Sequence, residues 1–328
     1  MSIFASTYSG RFARDSVGVF LENELARQDF TLYEPLVSMT WSRDIPLRSD
    51  VSVGNEFSAF FRLNFGAVGG TQSNGLALIN DSSTAIPSAN VDTQRVVYPL
   101  KPWGMSVQYT MIELAQSMEL KRPIDTQKIA SLNLKHEMDT NHIAYLGDQT
   151  QDSFGLLNSP ESLVQQATTP FATLATQGES GAEAIQTALY QAQSAIWRAT
   201  GYAACPDTLL LPPDTYSLLN RTVSQAGTFS LLEYVSRFNP FTKQTNKLLD
   251  IQPVKFLENT TGTDWLNNGG KNRAVFYTRN ERFVRFPKTP LQRATPTYQD
   301  LWYRVSYWCK MGHIEVVYPE ALGYLDGI

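Results

Sequence analysis

The stretch that decides the fold opens with Pro123-Ile-Asp-Thr-Gln-Lys-Ile129, runs through residues 130–143 without a Gly or a Pro, and closes with Ala144-Tyr-Leu-Gly-Asp148. Proline suits the first turn of a helix, where its missing N–H would have no partner anyway. Gly147 is a natural stop, because a helix often ends on a residue in the left-handed region. The spacing therefore predicts one helix over 123–146, about 36 Å long. Its apolar residues fall on more than one side: Ile129 and Leu132 on one, Leu134, Met138 and Tyr145 on another. Such a helix is a spine touched from several directions, not a cover over one surface.

Working backwards, Trp103, Met105, Val107 and Tyr109 alternate as in a strand, and Thr110-Met-Ile-Glu113 has the form of a capping box opening a short helix. Phe57, Ala59, Phe61, Leu63 and Phe65 share one parity, which predicts a half-buried strand over 55–65 with that face inward. A second strand is expected over 93–98. Between them, Gly66–Val91 holds four glycines and one charged residue, Asp81, and cannot build a core of its own. The pair reads as a long protruding hairpin, its loop residues Leu76, Leu78 and Ile79 waiting for a neighbour. Residues 1–50 read as an arm. Within Arg14–Phe30, Val17, Phe20, Leu21, Leu25 and Ala26 lie at near-helical spacing. The arm either packs on its own domain or reaches another chain, with Phe20 and Leu25 as its contacts.

Working forwards, Phe154-Gly-Leu-Leu-Asn-Ser-Pro160 is a turn, and Ser180-Gly-Ala-Glu183 is a second capping box before a helix that ends at Gly201. Short strands are expected at Thr208–Leu211, 248–257, 274–278 and 283–286, and helices after Pro212-Pro213-Asp214 and over 229–238. The tail alternates again through Leu301, Tyr303, Val305 and Tyr307, then Ile314, Val316 and Tyr318, with Gly312 between the runs. This is an α+β chain with early and late strands in one sheet and a middle domain of 180–285 inserted between them.

Composition narrows the function. Charged residues are only 18% of the 328, aromatics reach 12%, and the net charge is −4. Low charge with many aromatics marks a chain that hides surface in partners, and the acidic total argues against general nucleic-acid affinity. No apolar run is long enough to span a bilayer, no secretory signal is evident, and two isolated cysteines fit a reducing compartment. His136-Glu137 precedes the next histidine, His142, by the wrong interval for a zinc helix, and neither a phosphate loop nor a nucleophile elbow is present. No catalytic, cofactor or metal site is expected. One basic stretch stands out: Arg273, Arg279, Arg282, Arg285, Lys288 and Arg293 against Glu281 alone, interleaved with Phe276, Tyr277, Phe283 and Phe286. It reads as a strand face serving the fold or subunit contacts, through Arg279 and Arg282 in particular. The other reading is a nucleic-acid groove.

The order of these elements resembles the major capsid protein of tailed double-stranded DNA phages, over roughly 50–328. The motifs that carry the resemblance are Pro123–Ile129, Ala144–Asp148, Phe154–Pro160, Thr208-Leu-Leu-Leu-Pro-Pro-Asp-Thr-Tyr216, and the tail Gly312-His-Ile-Glu-Val-Val-Tyr-Pro319 with Tyr324-Leu-Asp-Gly-Ile328. The first 50 residues have no counterpart in it. The resemblance implies a Hong Kong 97-type fold: an arm over 1–50, an extended hairpin over 51–101, a peripheral domain over 102–179 with the spine helix, an axial domain over 180–285, and terminal strands over 286–328 returning to the peripheral domain. It implies a late, non-enzymatic virion protein, assembled in the host bacterial cytoplasm. Its copies would form pentamers and hexamers of an icosahedral shell around double-stranded DNA, which they contact non-specifically. The partners implied are a separate scaffold protein, a portal at one vertex and a decoration protein, and no cofactor is implied. An encapsulin-like compartment, another phage structural protein and an enzyme without a familiar motif are the alternatives.

Overall fold

The described chain enters through α1 (Trp41–Asp44) and β1 (Leu47–Arg48), then runs out and back as β2 (Phe57–Val68) and β3 (Ser88–Pro99). The structure is a computed structural model that describes residues 37–68, 88–119, 124–148, 150, 153–221, 229–258 and 266–328. From Met39 to Ile328 the chain forms one compact unit. β4 (Lys101–Thr110) leads into α2 (Met111–Glu119) and the long helix α3 (Ile124–Leu146). β5 (Gly147–Asp148), β6 (Ser153–Phe154), β7 (Leu163–Gln166), α4 (Phe171–Ala175) and α5 (Glu179–Ala199) follow. Next come β8 (Thr208–Leu211), α6 (Pro213–Arg221), α7 (Leu231–Arg237), α8 (Pro240–Thr245), β9 (Asp250–Pro253), β10 (Arg273–Tyr277) and β11 (Val284–Pro287). The chain finishes with β12 (Gln292–Arg293), β13 (Thr297–Gln299), β14 (Trp302–Met311), β15 (Glu315–Val316) and β16 (Leu322–Asp326).

The first capping box forms as its sequence predicts: the Thr110 amide donates to Glu113 Oε2 at 3.1 Å, and the Glu113 amide donates to Thr110 Oγ1 at 3.0 Å. The second does not. α5 begins at Glu179, one residue before the expected cap, and Ser180 Oγ donates to the Gln177 carbonyl instead. A Cβ on Gly181 would stand 1.7 Å from the Leu174 carbonyl oxygen. The close approach of α4 thus sets where α5 starts.

Burial on α3 differs from the expected spine. Leu132, His136, Thr140 and Ala144 form one buried stripe at four-residue steps, while Met138 is exposed. Only the last two turns are enclosed more widely, with Asn141, Tyr145 and Leu146 also buried. There the Phe154–Pro160 turn wraps the helix end. The Leu156 and Leu157 amides donate to the Ala144 and Tyr145 carbonyls, each at 3.0 Å, and Asn158 Nδ2 donates to the Leu146 carbonyl at 2.8 Å. These bonds satisfy carbonyls that a helix end would otherwise leave without partners. Gly147 turns the chain at φ +71°, where a Cβ would lie 2.1 Å from the Ser153 carbonyl oxygen.

The five-stranded sheet, ordered β7-β16-β10-β8-β9, is a wall between two cores. Leu209, Leu211, Ala274, Phe276 and Leu325 face α5 and its Ile185, Leu189 and Ile196. Leu210, Val275, Tyr277, Leu322 and Tyr324 face the end of α3 with Leu156 and Leu157. The period-two alternation of strands buried on both faces produces this division. Two expectations change. β7 and β16 lie outside 180–285 yet complete this sheet, while β14 returns to β4, pairing from Trp302↔Thr110 to Met311↔Lys101, and brings β12 and β13 with it. The end of the expected arm also belongs to the body: Trp41 and Ile45 are buried, and β1 pairs in parallel with β11.

Arg273 on β10 and Asp326 on β16 are both buried, with nitrogen–oxygen distances of 2.5 and 2.8 Å. The Arg273 guanidinium also donates to the Leu157 and Leu266 carbonyls and stacks over the Tyr324 ring. Arg273→Ala should therefore cost about 3–5 kcal/mol in urea unfolding, because it strands a buried carboxylate. The double replacement Arg273→Met with Asp326→Leu should fall closer to the parent than either single change. Equal or greater damage from the double would show that the pair contributes more than mutual neutralisation.

Candidate assembly surface

β2 and β3 pair over their whole length, from Phe57↔Pro99 to Val68↔Ser88, as a ribbon about 37 Å long. Pairing runs on through Gly66↔Asn90, so the expected Gly66–Val91 loop is shorter at both ends. Backbone bonds in a ladder need no side chain, and glycine does not interrupt them.

The ribbon is seated by charge. Glu315 of β15 is fully buried. Arg48 Nη1 donates to its two oxygens at 3.1 and 3.0 Å, Arg285 Nε donates at 2.5 Å, and Ser58 Oγ of the ribbon donates as well. Arg48 also grips Asp50 at 2.6 and 2.9 Å, and its guanidinium holds the Asp50 carboxyl below the usual carboxylate range. The row Asp50, Arg48, Glu315, Arg285 is thus balanced, two charges of each sign. Further along, Arg62 donates to the Val316 and Val317 carbonyls at 2.9 and 3.1 Å and pairs with Glu161 at 2.9 Å. Phe60, between them in parity, is buried beneath the Arg62 and Arg285 guanidinium groups.

Seating that face inverts the burial predicted from the alternation. Ser58 and Phe60 point inward, while Phe57, Phe61 and Leu63 lie outward at 56%, 63% and 69% exposure. Val91 and Val97 share their face across the ladder and are exposed too. The polar parity finds charged and carbonyl partners in the body, whereas the apolar parity has no layer over it among the described residues. Arg95 and Thr93 stand opposite Phe61 and Leu63 on this face, so the exposed apolar stripe has a polar edge, as an interaction surface does.

A second exposed cluster stands at the far end of the β4–β14 ladder: Met111, Ile112, Tyr298, Leu301 and Trp302. It is tied together where the Met111 amide donates to the Leu301 carbonyl at 2.9 Å. The sequence reading passed over it, although the aromatic run Leu301-Trp-Tyr303 was its signal.

The basic stretch divides. Arg273 and Arg285 serve the buried pairs above, and Lys288 lies 3.7 Å from Glu137 and 3.2 Å from Thr140 Oγ1. Arg279 and Arg282 are exposed on the turn from β10 to β11, and neither guanidinium forms an ion pair with a described residue. Phe20, Leu25, Leu76, Leu78 and Ile79 lie outside the described residues.

Cys309 Sγ lies 3.6 Å from His136 Nε2, which brings together a pair the sequence had not joined. Burial pushes the thiol up to about 11, and it has no exposed surface, so it is no nucleophile. Among the described residues no group of three or more His, Cys, Asp or Glu side chains could hold a metal ion, and no helix is long and apolar enough to cross a membrane.

The family model described as "Major capsid protein" matches residues 76–328. The chain belongs to the major capsid protein family. Its α+β fold is the Hong Kong 97-type capsid fold, and similar solved structures share it. The capsid of Myoviridae phage XM1 superposes with a TM-score of 0.73 at 15% identity, covering 95% of this chain and 100% of that one. The capsid of a native GTA particle gives 0.58 at 11% identity, covering 92% and 94%. The mature capsid of bacteriophage PhiM1 gives 0.54 at 13%, covering 94% and 92%. Comparison with curated protein sequences returns no match. As a major capsid protein the chain is a virion component that builds a shell from its own copies.

Glu315→Gln should destabilise the subunit by about 3–5 kcal/mol in urea unfolding, since two guanidinium groups would share a neutral amide. Asp50→Asn, at the exposed end of the row, should cost under about 1 kcal/mol. Hydrogen exchange should speed up at 57–63 in the Glu315 variant before the β8–β10 strands respond.

Proposed function

We propose that the chain is the head-shell subunit of a tailed phage, forming pentamers and hexamers of an icosahedral shell around double-stranded DNA that it contacts non-specifically. The observation that carries this reading is the outward apolar face Phe57, Phe61, Leu63, Val91 and Val97 on a ribbon anchored at its base. A neighbouring copy covers that face, and each subunit in turn covers another's, a head-to-tail contact that closes into rings. The ribbon with its flanks (51–101) is the part that lies over the neighbour. Residues 102–179 apart from β7, together with β14, form the peripheral body, 180–285 with β7 and β16 the axial one, and 1–50 an arm. Assembly takes place in the host bacterial cytoplasm with a separate scaffold protein. A portal occupies one vertex, and a decoration protein binds outside.

Phe61→Ser with Leu63→Ser should cost the subunit no more than about 1 kcal/mol of unfolding free energy, since both side chains are mostly exposed. It should abolish shells in electron micrographs and sedimentation. Normal shells from the variant would remove the ribbon face from assembly. Shells that enclose protein and no DNA would overturn the genome-holding role while keeping the shell.

Arg279→Glu with Arg282→Glu should impair assembly in DNA-free extracts. Normal empty shells with failed packaging would instead assign these arginines to nucleic acid.

A further inference from the structure

His313 sits where the ribbon meets the turn that wraps α3. Its ring lies edge-on to Tyr98 of β3, with centroids 3.9 Å apart, and it hydrogen-bonds the Phe154 backbone. Its Nδ1 is buried with no hydrogen-bond partner. The neutral ring therefore carries its proton on the other nitrogen, donating to the Phe154 carbonyl, and leaves Nδ1 a bare lone pair. Beside it opens a cavity of about 340 Å³ walled in part by Tyr98, Trp103, Asp148, Phe154 and Glu161.

Charges reach His313 from each element around it. Lys101, at the start of β4, opposes a positive ring, and Glu315 favours one. But both Glu315 oxygens are already engaged by Arg48, Arg285 and Ser58. Glu161 is held by Arg62, and Asp148 accepts from Thr150. Tyr98, the ribbon's own titratable group here, is itself pushed up by burial and stays a neutral phenol. Burial is the dominant cause, and it pushes His313 below its ordinary value near 6.5. A proton arriving at Nδ1 would create a buried donor with no acceptor.

We propose that His313 is an acid-sensitive latch on the ribbon: neutral, it holds Tyr98 against the body, and protonated at Nδ1 it releases that contact and loosens the ribbon's seat. The sign follows from linkage. The folded state binds this proton less readily than the unfolded chain, so the latch's contribution is complete above about 6.5 and is lost as the pH falls through His313's own lower value. The inference concerns the single subunit and stands whether or not the ribbon face is a shell contact.

The test is hydrogen exchange of the full chain at pH 7.5 and 5.0, corrected for intrinsic rates. Amides at 57–63 and 91–98 should open at least about tenfold more at pH 5.0, and His313→Gln and His313→Phe should each flatten that response. His136→Gln, which removes the buried histidine of α3's inner stripe, should leave the response in place. A response that persists in both His313 variants, vanishes in the His136 variant, or is missing from the parent overturns the latch. Should both His313 variants fail to fold, the parent's ring resonances decide. Titration below 6.5 together with the ribbon amides supports the latch, and titration at or above 6.5 overturns it.

Discussion

Everything that makes this subunit directional depends on one buried carboxylate. Glu315 has no exposed surface and takes bonds from Arg48, Arg285 and Ser58. A lone carboxylate there would be too costly to ionise, so the three donors must be present together. They come from β1 and the base of the ribbon, ten residues apart in sequence, and from β11, more than about 200 residues further on. The bond to Ser58 fixes which parity of β2 faces the body, and one residue of slip would turn every side chain of the ribbon over. The outward display of Phe57, Phe61 and Leu63 therefore follows from an electrostatic requirement at the ribbon's foot.

A similar arrangement holds the body together. The turn after α3 satisfies the last helical carbonyls, and its own carbonyls at Leu156 and Leu157 are taken up by the Tyr324 hydroxyl and Arg273. Arg273 then pairs with Asp326 across β10 and β16. Helix end, turn and central strands form one polar chain through the apolar cores on either side. The five-stranded sheet thus has a fixed position against α3, and the ribbon, through Glu315 and Arg62, has a fixed position against β15 of the separate three-stranded sheet β1-β11-β15. A subunit that must repeat itself around a closed shell requires such rigidity, since small angular errors accumulate around a ring.

Much of this was legible in the sequence. The long helix, its glycine stop, the Thr110–Glu113 cap and the strand at Thr208–Leu211 are local signals, and local physics decides them. What failed was decided at a distance. The alternation of Phe57, Phe61 and Leu63 predicted the wrong inward face, because alternation says which residues share a side and not which side has a partner. The cap at Ser180 gave way to the contact between Gly181 and Leu174, and the sheet expected within 180–285 also takes in β7 and β16, by pairings that no spacing announces. The basic stretch could not be divided from its pattern alone: the Arg273 and Arg285 guanidinium groups pair with carboxylates 53 and 30 residues away, while those of Arg279 and Arg282 pair with none among the described residues. The exposed Met111–Trp302 cluster went unread because strand aromatics look alike in a core and on a surface.

The central claim is that the ribbon's exposed apolar face belongs to a neighbouring copy. Electron cryomicroscopy of particles assembled from this chain, at a resolution that shows side chains, tests it directly. The account predicts density from an adjacent subunit packed over Phe57, Phe61 and Leu63, with Ser58 still against Glu315 of its own chain. A shell in which those three side chains remain open to solvent, or in which the ribbon has turned its Ser58 face outward, would contradict it.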